Sequence, residues 1–215
     1  MKSDLAKDLD KIQRKLRPLL KERGFRERGR LFSRTTPDGL TQVLQIWMAN
    51  FDPPWAKQTP EFQSNYYGKF TIDLGIFVPE VQKWAKTYPQ PKVIREPDCC
   101  MRRRLGTLKT DYTDVWWDIR TNGEFIEGLH ERLKDSAFPF FDGANSRESI
   151  LQQCMDSNFN RSDFETPPRI VCAIILFERG DRDAARTLLT DQIANSADHA
   201  GHVEYVQKLM ERMGL

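Results

Sequence analysis

Between Phe70 and Val78 the sequence alternates without interruption. Phe70, Ile72, Leu74, Ile76 and Val78 form one set, and Thr71, Asp73, Gly75 and Phe77 form the other. A two-residue period puts each set on its own face of an extended strand. The chain is therefore expected to build a sheet with one face of this strand in the core. Upstream, residues 29–35 and 40–51 are rich in β-formers and flank Thr36-Pro37-Asp38-Gly39, a turn sequence, so they read as a hairpin. Downstream, residues 101–105 and 115–119 read as two further short strands. Strands that follow one another without helices between them favour an antiparallel sheet.

Helices are expected on both sides of this sheet region. Leu5, Leu9, Ile12, Leu16, Leu19 and Leu20 recur at spacings of three and four, an apolar stripe on a helix over residues 4–23. Ser3 suits its start and Gly24 a left-handed end. Pro18 removes a backbone donor and is expected to kink the helix or begin a new turn. From Asn122 onward, residues 124–133, 146–155, 169–178, 182–193 and 200–213 carry helical spacing, with Gly180-Asp181 separating two of them. The last three resemble a tetratricopeptide-like helical hairpin with a closing helix. One such unit cannot bury its apolar face alone, so it is expected to dock on the sheet domain or on another chain. The fold class is thus α+β, an N-terminal helix packed on a mainly antiparallel sheet and followed by a C-terminal helical segment. The expected domains are 1–143 and 144–215.

Composition narrows the function classes. The longest apolar run, residues 170–177, is far short of the ~20 residues of a membrane span. The first eight residues carry charges throughout, at Lys2, Asp4, Lys7 and Asp8, and offer no signal-peptide core, so a cytoplasmic protein is expected. Cys99, Cys100, Cys154 and Cys172 include no C-x-x-C pair and read as free thiols. Residues 1–34 hold 12 Lys/Arg against 5 Asp/Glu, a basic front on a chain whose net charge is only +2.

An ordered set of segments carries a family resemblance. Lys21-Glu22-Arg23-Gly24-Phe25 follows the leucine-striped helix, and Leu31-Phe32-Ser33-Arg34 comes next. Then come Phe70-Thr71-Ile72-Asp73-Leu74-Gly75-Ile76-Phe77, Arg102-Arg103-Arg104-Leu105-Gly106 and Trp116-Trp117-Asp118-Ile119. Over roughly residues 4–135 this series resembles the bacterial domain-of-unknown-function family 4304. The resemblance implies a small α+β domain and brings no activity with it. Small bacterial domains of this kind often stand beside secreted toxins as neutralising partners, an association that suggests an immunity-type inhibitor.

The residues themselves offer little chemistry. Arg102, Arg103 and Arg104 suit oxyanions, because a planar guanidinium matches phosphate or carboxylate. Asp98, Asp73 and Asp118 are near enough in sequence or on neighbouring strands to neutralise them instead. His199 and His202 stand one helical turn apart, but a metal site ordinarily needs a third ligand, and no metal or other cofactor is expected. No nucleophile elbow, phosphate loop or dinucleotide fingerprint occurs, which leans against an enzyme. Two readings remain. The first is a non-catalytic protein-binding module. It rests on the long connection 52–68, with Trp55, Phe62, Tyr66 and Tyr67, since such lengths and residue types suit binding loops. The second is a nucleic-acid-binding protein that uses the basic N-terminal helix with Arg102 and Arg104.

Overall fold

The computed structural model describes residues 3–49, 66–108, 115–120, 123–155 and 164–215. Helix α1 spans Asp4–Glu22. The Ser3 hydroxyl accepts the Ala6 N–H at 3.3 Å, so one of the orphan donors at the helix start is satisfied. Its buried positions are Ala6, Leu9, Ile12, Gln13, Leu16 and Leu20, so Leu9, Ile12, Leu16 and Leu20 of the expected stripe are buried, Leu5 and Leu19 are half-buried, and Ala6 and Gln13 join them. Pro18 lies inside the helix. It lies on the exposed side, where the carbonyl deprived of its amide partner can turn to water. Gly24 then adopts φ +81°, and the Phe25 N–H returns to the Leu20 carbonyl at 3.0 Å, closing the helix in a left-handed turn.

Six strands form one sheet: β1 (Arg26–Arg28), β2 (Leu31–Thr35), β3 (Thr41–Met48), β4 (Lys69–Phe77), β5 (Met101–Arg104) and β6 (Trp117–Asp118). Their order is β1-β2-β3-β4-β5, with β6 also paired to β4. β1 runs antiparallel to β2, with Glu27 opposite Phe32, and β6 runs antiparallel to β4. The hairpin and the two downstream strands are as read from the sequence. β1 was not anticipated, because Arg-Glu-Arg carries no apolar alternation. One expectation is corrected at β4: every residue from Phe70 to Phe77 is buried, so the strand has two covered faces.

The helices after β4 are α2 (Pro79–Ala85), α3 (Gly123–Arg132), a π-helical segment Leu133–Ala137, α4 (Phe138–Gly143), α5 (Arg147–Met155), α6 (Pro168–Glu178), α7 (Arg182–Ala194) and α8 (Ala200–Met213). Two short 3₁₀ turns, Glu96–Asp98 and Leu105–Thr107, flank β5. No helix among the described residues is long and apolar enough to cross a membrane.

The chain divides into two compact units. The first comprises Met1–Arg34, Gln42–Leu74 and Arg103–Asp142. Within it α1 is tied to β1: the Gln13 amide donates to Glu27, and Arg17 donates to both oxygens of the same carboxylate. Phe25 packs on Phe141 with ring centres 5.3 Å apart, and the Arg34 guanidinium covers Phe25 at 4.8 Å. The second unit comprises Thr35–Thr41, Gly75–Arg102 and Gly143–Leu215. In it α6 packs against α2, α5 and α7, and α8 packs against α7 and α2. Its α6 is apolar nearly all round, with Ile170, Val171, Cys172, Ala173, Ile174 and Ile175 buried. Gly75 is required where it stands, because a Cβ there would come within 2.5 Å of the Cys99 sulfur.

Leu9 and Leu16 are fully buried. Leu9→Ala or Leu16→Ala is expected to cost about 2–5 kcal/mol, read as a lowered urea midpoint. Unchanged midpoints would show that the stripe is not part of the core. Glu27 gives a pH-dependent counterpart. The Arg17 hydrogen bond holds its carboxyl below the ordinary value, against the opposing effect of burial, and Gln13 adds to the lowering. A folded-state value below the unfolded one stabilises the protein above the unfolded carboxylate range and loses that contribution as pH falls through the folded value. Glu27→Gln should therefore be less stable than the parent chain at pH 7. The gap should close below about pH 4. A gap of constant size across that range would contradict the assignment.

Candidate functional site

Backbone hydrogen bonds place the side chains of the first unit on definite faces. The Ala49 N–H donates to the Lys69 carbonyl at 2.9 Å, which ties the end of β3 to the start of β4. On the other side of β4, Lys69 lies opposite Asp118 and Phe70 opposite Trp117. Two-residue alternation from these anchors puts Phe70 and Trp117 on one face and Thr71 on the other, flanked by Trp47 of β3 and Trp116. The first face is core. Phe70, Trp117 and Phe125 of α3 meet there, with ring centres between 5.6 and 6.3 Å apart.

The second face carries the polar and aromatic set. Arg104 donates from Nε to Asp73 Oδ1 at 2.9 Å, and its guanidinium lies 5.0 Å from the centre of the Trp116 ring. Tyr66 meets Trp116 edge-on at 5.3 Å. Asp73 is 8% exposed, so its charge needs this partner. Trp47 is 37% exposed and Tyr67 59%, whereas Tyr66 and Trp116 are half-buried. The Thr71 hydroxyl, between the two tryptophans, is buried with no hydrogen-bond partner among the described residues. The result is an aromatic surface in which the Arg104 cation is already matched by a carboxylate.

In the second unit Arg102 is likewise committed. It grips Glu96 with two nitrogens, at 2.5 and 3.1 Å, and reaches Glu165 at 3.0 Å. Glu96 is 4% exposed, and its hydrogen bond raises the arginine's own affinity for the proton. Asp98, an expected partner of the arginine run, instead accepts the Arg95 N–H at 2.8 Å. Arg147 holds the buried Glu80 in the same bidentate manner and also bonds Asp38. Beside Glu80 lies a recess of about 570 Å³, lined by Pro79, Gln82, Lys83, Tyr88, Pro89 and Glu178 among others. Lys83 and the Trp84 indole both bond Glu178 at its rim.

Other candidates are dispersed. His130 contacts the Lys15 carbonyl at 3.0 Å, and His202 contacts the Gln192 amide at 3.0 Å. Among the described residues no group of three His, Cys, Asp or Glu side chains is placed to hold a metal ion. Burial pushes the Cys99 thiol well up and the Cys100 thiol up to about 12, so neither offers a thiolate at neutral pH.

Of the residues singled out from the sequence, Tyr66 and Arg104 meet around Trp116, and Tyr67 follows Tyr66 at the surface. Arg102 belongs to the other unit's ion pairs. Trp55 and Phe62 lie outside the described residues. Trp47 and Trp116 were missed as surface residues. A tryptophan at an alternating position with Gln45 was the available signal for Trp47.

The fold and this face define an α+β domain with an aromatic, charge-matched surface. Residues 58–143 match the family model described as Domain of unknown function (DUF4304), so the resemblance read from the sequence is shown for that stretch. The match includes β4, β5, β6, Tyr66, Tyr67, Arg104 and Trp116, and it leaves α1 to β3 and the helices from α5 onward outside. No curated protein and no solved structure matches the chain.

Proposed function

We propose that the chain is a non-catalytic protein-binding module whose contact surface is the face carrying Trp47, Tyr66, Trp116 and Arg104, with the exposed Tyr67 next to Tyr66 in the chain. One observation carries this reading. The face combines exposed tryptophan and tyrosine with an arginine that Asp73 neutralises and Trp116 stacks upon. Trp, Tyr and Arg dominate the energetics of protein interfaces, because they offer large, stiff apolar area with a polar handle. A guanidinium already matched to a carboxylate adds area and hydrogen-bonding edges without demanding an anion. A bacterial, cytoplasmic setting is part of this proposal and rests on the family resemblance alone. A neutralising partner of a toxin is one form of the reading, motivated by that resemblance alone.

The nucleic-acid reading draws less support. Arg102 and Arg104 both spend their charge on Glu96, Glu165 and Asp73. Binding through phosphates needs cations free to displace counterions, and it weakens steeply with salt. Protein with Arg102→Gln and Arg104→Gln should show the same background retention of single-stranded RNA and duplex DNA as the parent chain. A saturable, salt-sensitive complex lost in the double variant would reverse the ranking of the two readings.

The protein reading is tested by placing a photo-crosslinking amino acid at Lys69, two residues before Thr71 on the same face of β4, in cells that express the chain at native level. A discrete crosslinked species should form and fall to background in Trp47→Ala and Tyr67→Ala. Both variants should keep Tm within about 2 °C of the parent, as exposed positions usually do. Unchanged crosslinking together with a Tm loss of several degrees would instead assign these aromatics to packing.

A further inference from the structure

The recess beside Glu80 lies wholly within the second unit, whereas the proposed binding face lies in the first. Arg147 takes both oxygens of Glu80, so that carboxylate has little left to offer a ligand. Glu178 is matched on one oxygen only. The Lys83 ammonium, at 2.7 Å, and the Trp84 indole N–H both donate to its Oε1, and its Oε2 has no hydrogen-bond partner among the described residues. The Lys83 hydrogen bond, followed by that of Trp84, holds this carboxyl below its ordinary value, so it is anionic at neutral pH. A second acceptor belongs to Gln82, which lines the recess and is 3% exposed. Its Nε2 donates to the Tyr88 carbonyl at 3.0 Å, which fixes the orientation of the amide. Its Oε1 is buried with no partner among the described residues, an unfavourable state that an N–H donor would relieve. Pro79, Tyr88 and Pro89 add apolar and aromatic surface. The recess is thus short of N–H donors and well supplied with carbon.

We propose that this recess binds a primary amine that carries a second N–H donor. The ligand ammonium replaces Lys83 at Glu178, the second donor meets Gln82 Oε1, and the alkyl stem lies on Tyr88 and Pro89. Lys83 already shows that an ammonium suits the place. It is held by the carboxylate and lies 4.8 Å from the centre of the Trp84 ring, a combination of anion and aromatic face that favours cations. Its side chain is 60% exposed, and so solvated a pair is held weakly. Exchanging one ammonium for another leaves no charge unmatched, because Lys83 moves into water. An anion finds worse terms. It must part Lys83 from Glu178 and then sit beside the carboxylate it has uncovered. The recess volume, about 570 Å³, lies within the range of small-ligand sites. Two sources carry the required chemistry: a free diamine, and a lysine of another protein with its own backbone N–H. In either case Lys83 is an internal competitor, so its removal should help the ligand. At an anion site the same change would destroy binding.

The full-length chain, isotopically labelled on nitrogen, is titrated while its indole N–H signals are followed by NMR. It has five tryptophans, and the Trp84 signal is identified by its loss in Trp84→Phe. The probes are cadaverine and Nα-acetyl-lysine methylamide, with inorganic phosphate as the anion, all at matched ionic strength. At least one amine should shift the Trp84 signal saturably, and phosphate should not. A response to cadaverine alone marks free diamines as the source, to the lysine amide alone a partner's lysine, and to both the shared ammonium chemistry. Glu178→Gln should weaken amine binding by about tenfold, the scale of a hydrogen bond to a charged group. Lys83→Met should tighten it several-fold. Circular dichroism verifies that each variant is folded, and Gln82→Met, also expected to bind more weakly, replaces Glu178→Gln if that chain does not fold. A Trp84 signal that neither amine moves would overturn the proposal. So would amine binding unchanged or weakened in Lys83→Met, or a saturable phosphate response lost in that variant.

Discussion

The strand Lys69–Phe77 has no solvent face from Phe70 onward, and most of the structure answers to that constraint. A central strand can bury Phe70, Ile72 and Leu74 at a gain of roughly 25 cal/mol for each Å² of apolar surface removed from water. The same burial takes Thr71 and Asp73 out of water, where each needs a protein partner. Asp73 finds Arg104 on the neighbouring strand. Gly75 lies on the same face, and the absence of its side chain lets Cys99 approach. The strand thus dictates a cation at one neighbour and a close sulfur contact at another.

The arrangement at Asp73 recurs. Glu80 and Glu96 are also nearly inaccessible, and each is held by an arginine through two nitrogens, Arg147 and Arg102. Replacing one member of such a pair leaves a stranded charge, whereas the intact pair contributes modest net stability. Their value is geometric. A guanidinium fork accepts only a narrow set of carboxylate orientations, so each pair fixes the mutual placement of two segments distant in sequence. Arg147 fixes the turn at Asp38 and the start of α2 relative to α5 in this way. The arginine run at 102–104 gains its character from these local demands, and its charge is largely consumed inside the molecule.

Much of the fold was legible because short-range rules dominate it. Three- and four-residue apolar spacing locates α1 and α5 to α8, and two-residue spacing locates β4. Thr36-Pro37-Asp38-Gly39 locates the hairpin. α2 was not legible: Pro79-Glu80-Val81-Gln82-Lys83-Trp84-Ala85 is too short for a period to emerge, and its Glu80 and Gln82 are buried polar residues that oppose the usual pattern. The arginines announced themselves as a charge cluster, and Asp73, expected among their partners on a neighbouring strand, holds Arg104. Glu96 and Glu165 were not anticipated, and Glu165 is 63 positions from Arg102. Tyr66 and Tyr67 stood out by composition. Trp47 offered only its alternation with Gln45, and Trp116 offered no sign of its own, since which face is covered emerges only when the neighbouring strands are in register.

β1 consists of only Arg26, Glu27 and Arg28, and it ends the order of strands in the sheet. Terminal strands expose backbone donors and acceptors that can recruit any extended polypeptide. Here the side chains that would approach such a recruit are guanidinium groups at the two outer positions, and a second copy would bring the same charges against them. Three residues also offer too few ladder bonds to offset that repulsion. The sheet therefore resists growth by stacking end to end with copies of itself. Exchanging Arg26 and Arg28 for valine would remove that protection and open a route to fibrous self-assembly, while Glu27 kept its hold on α1.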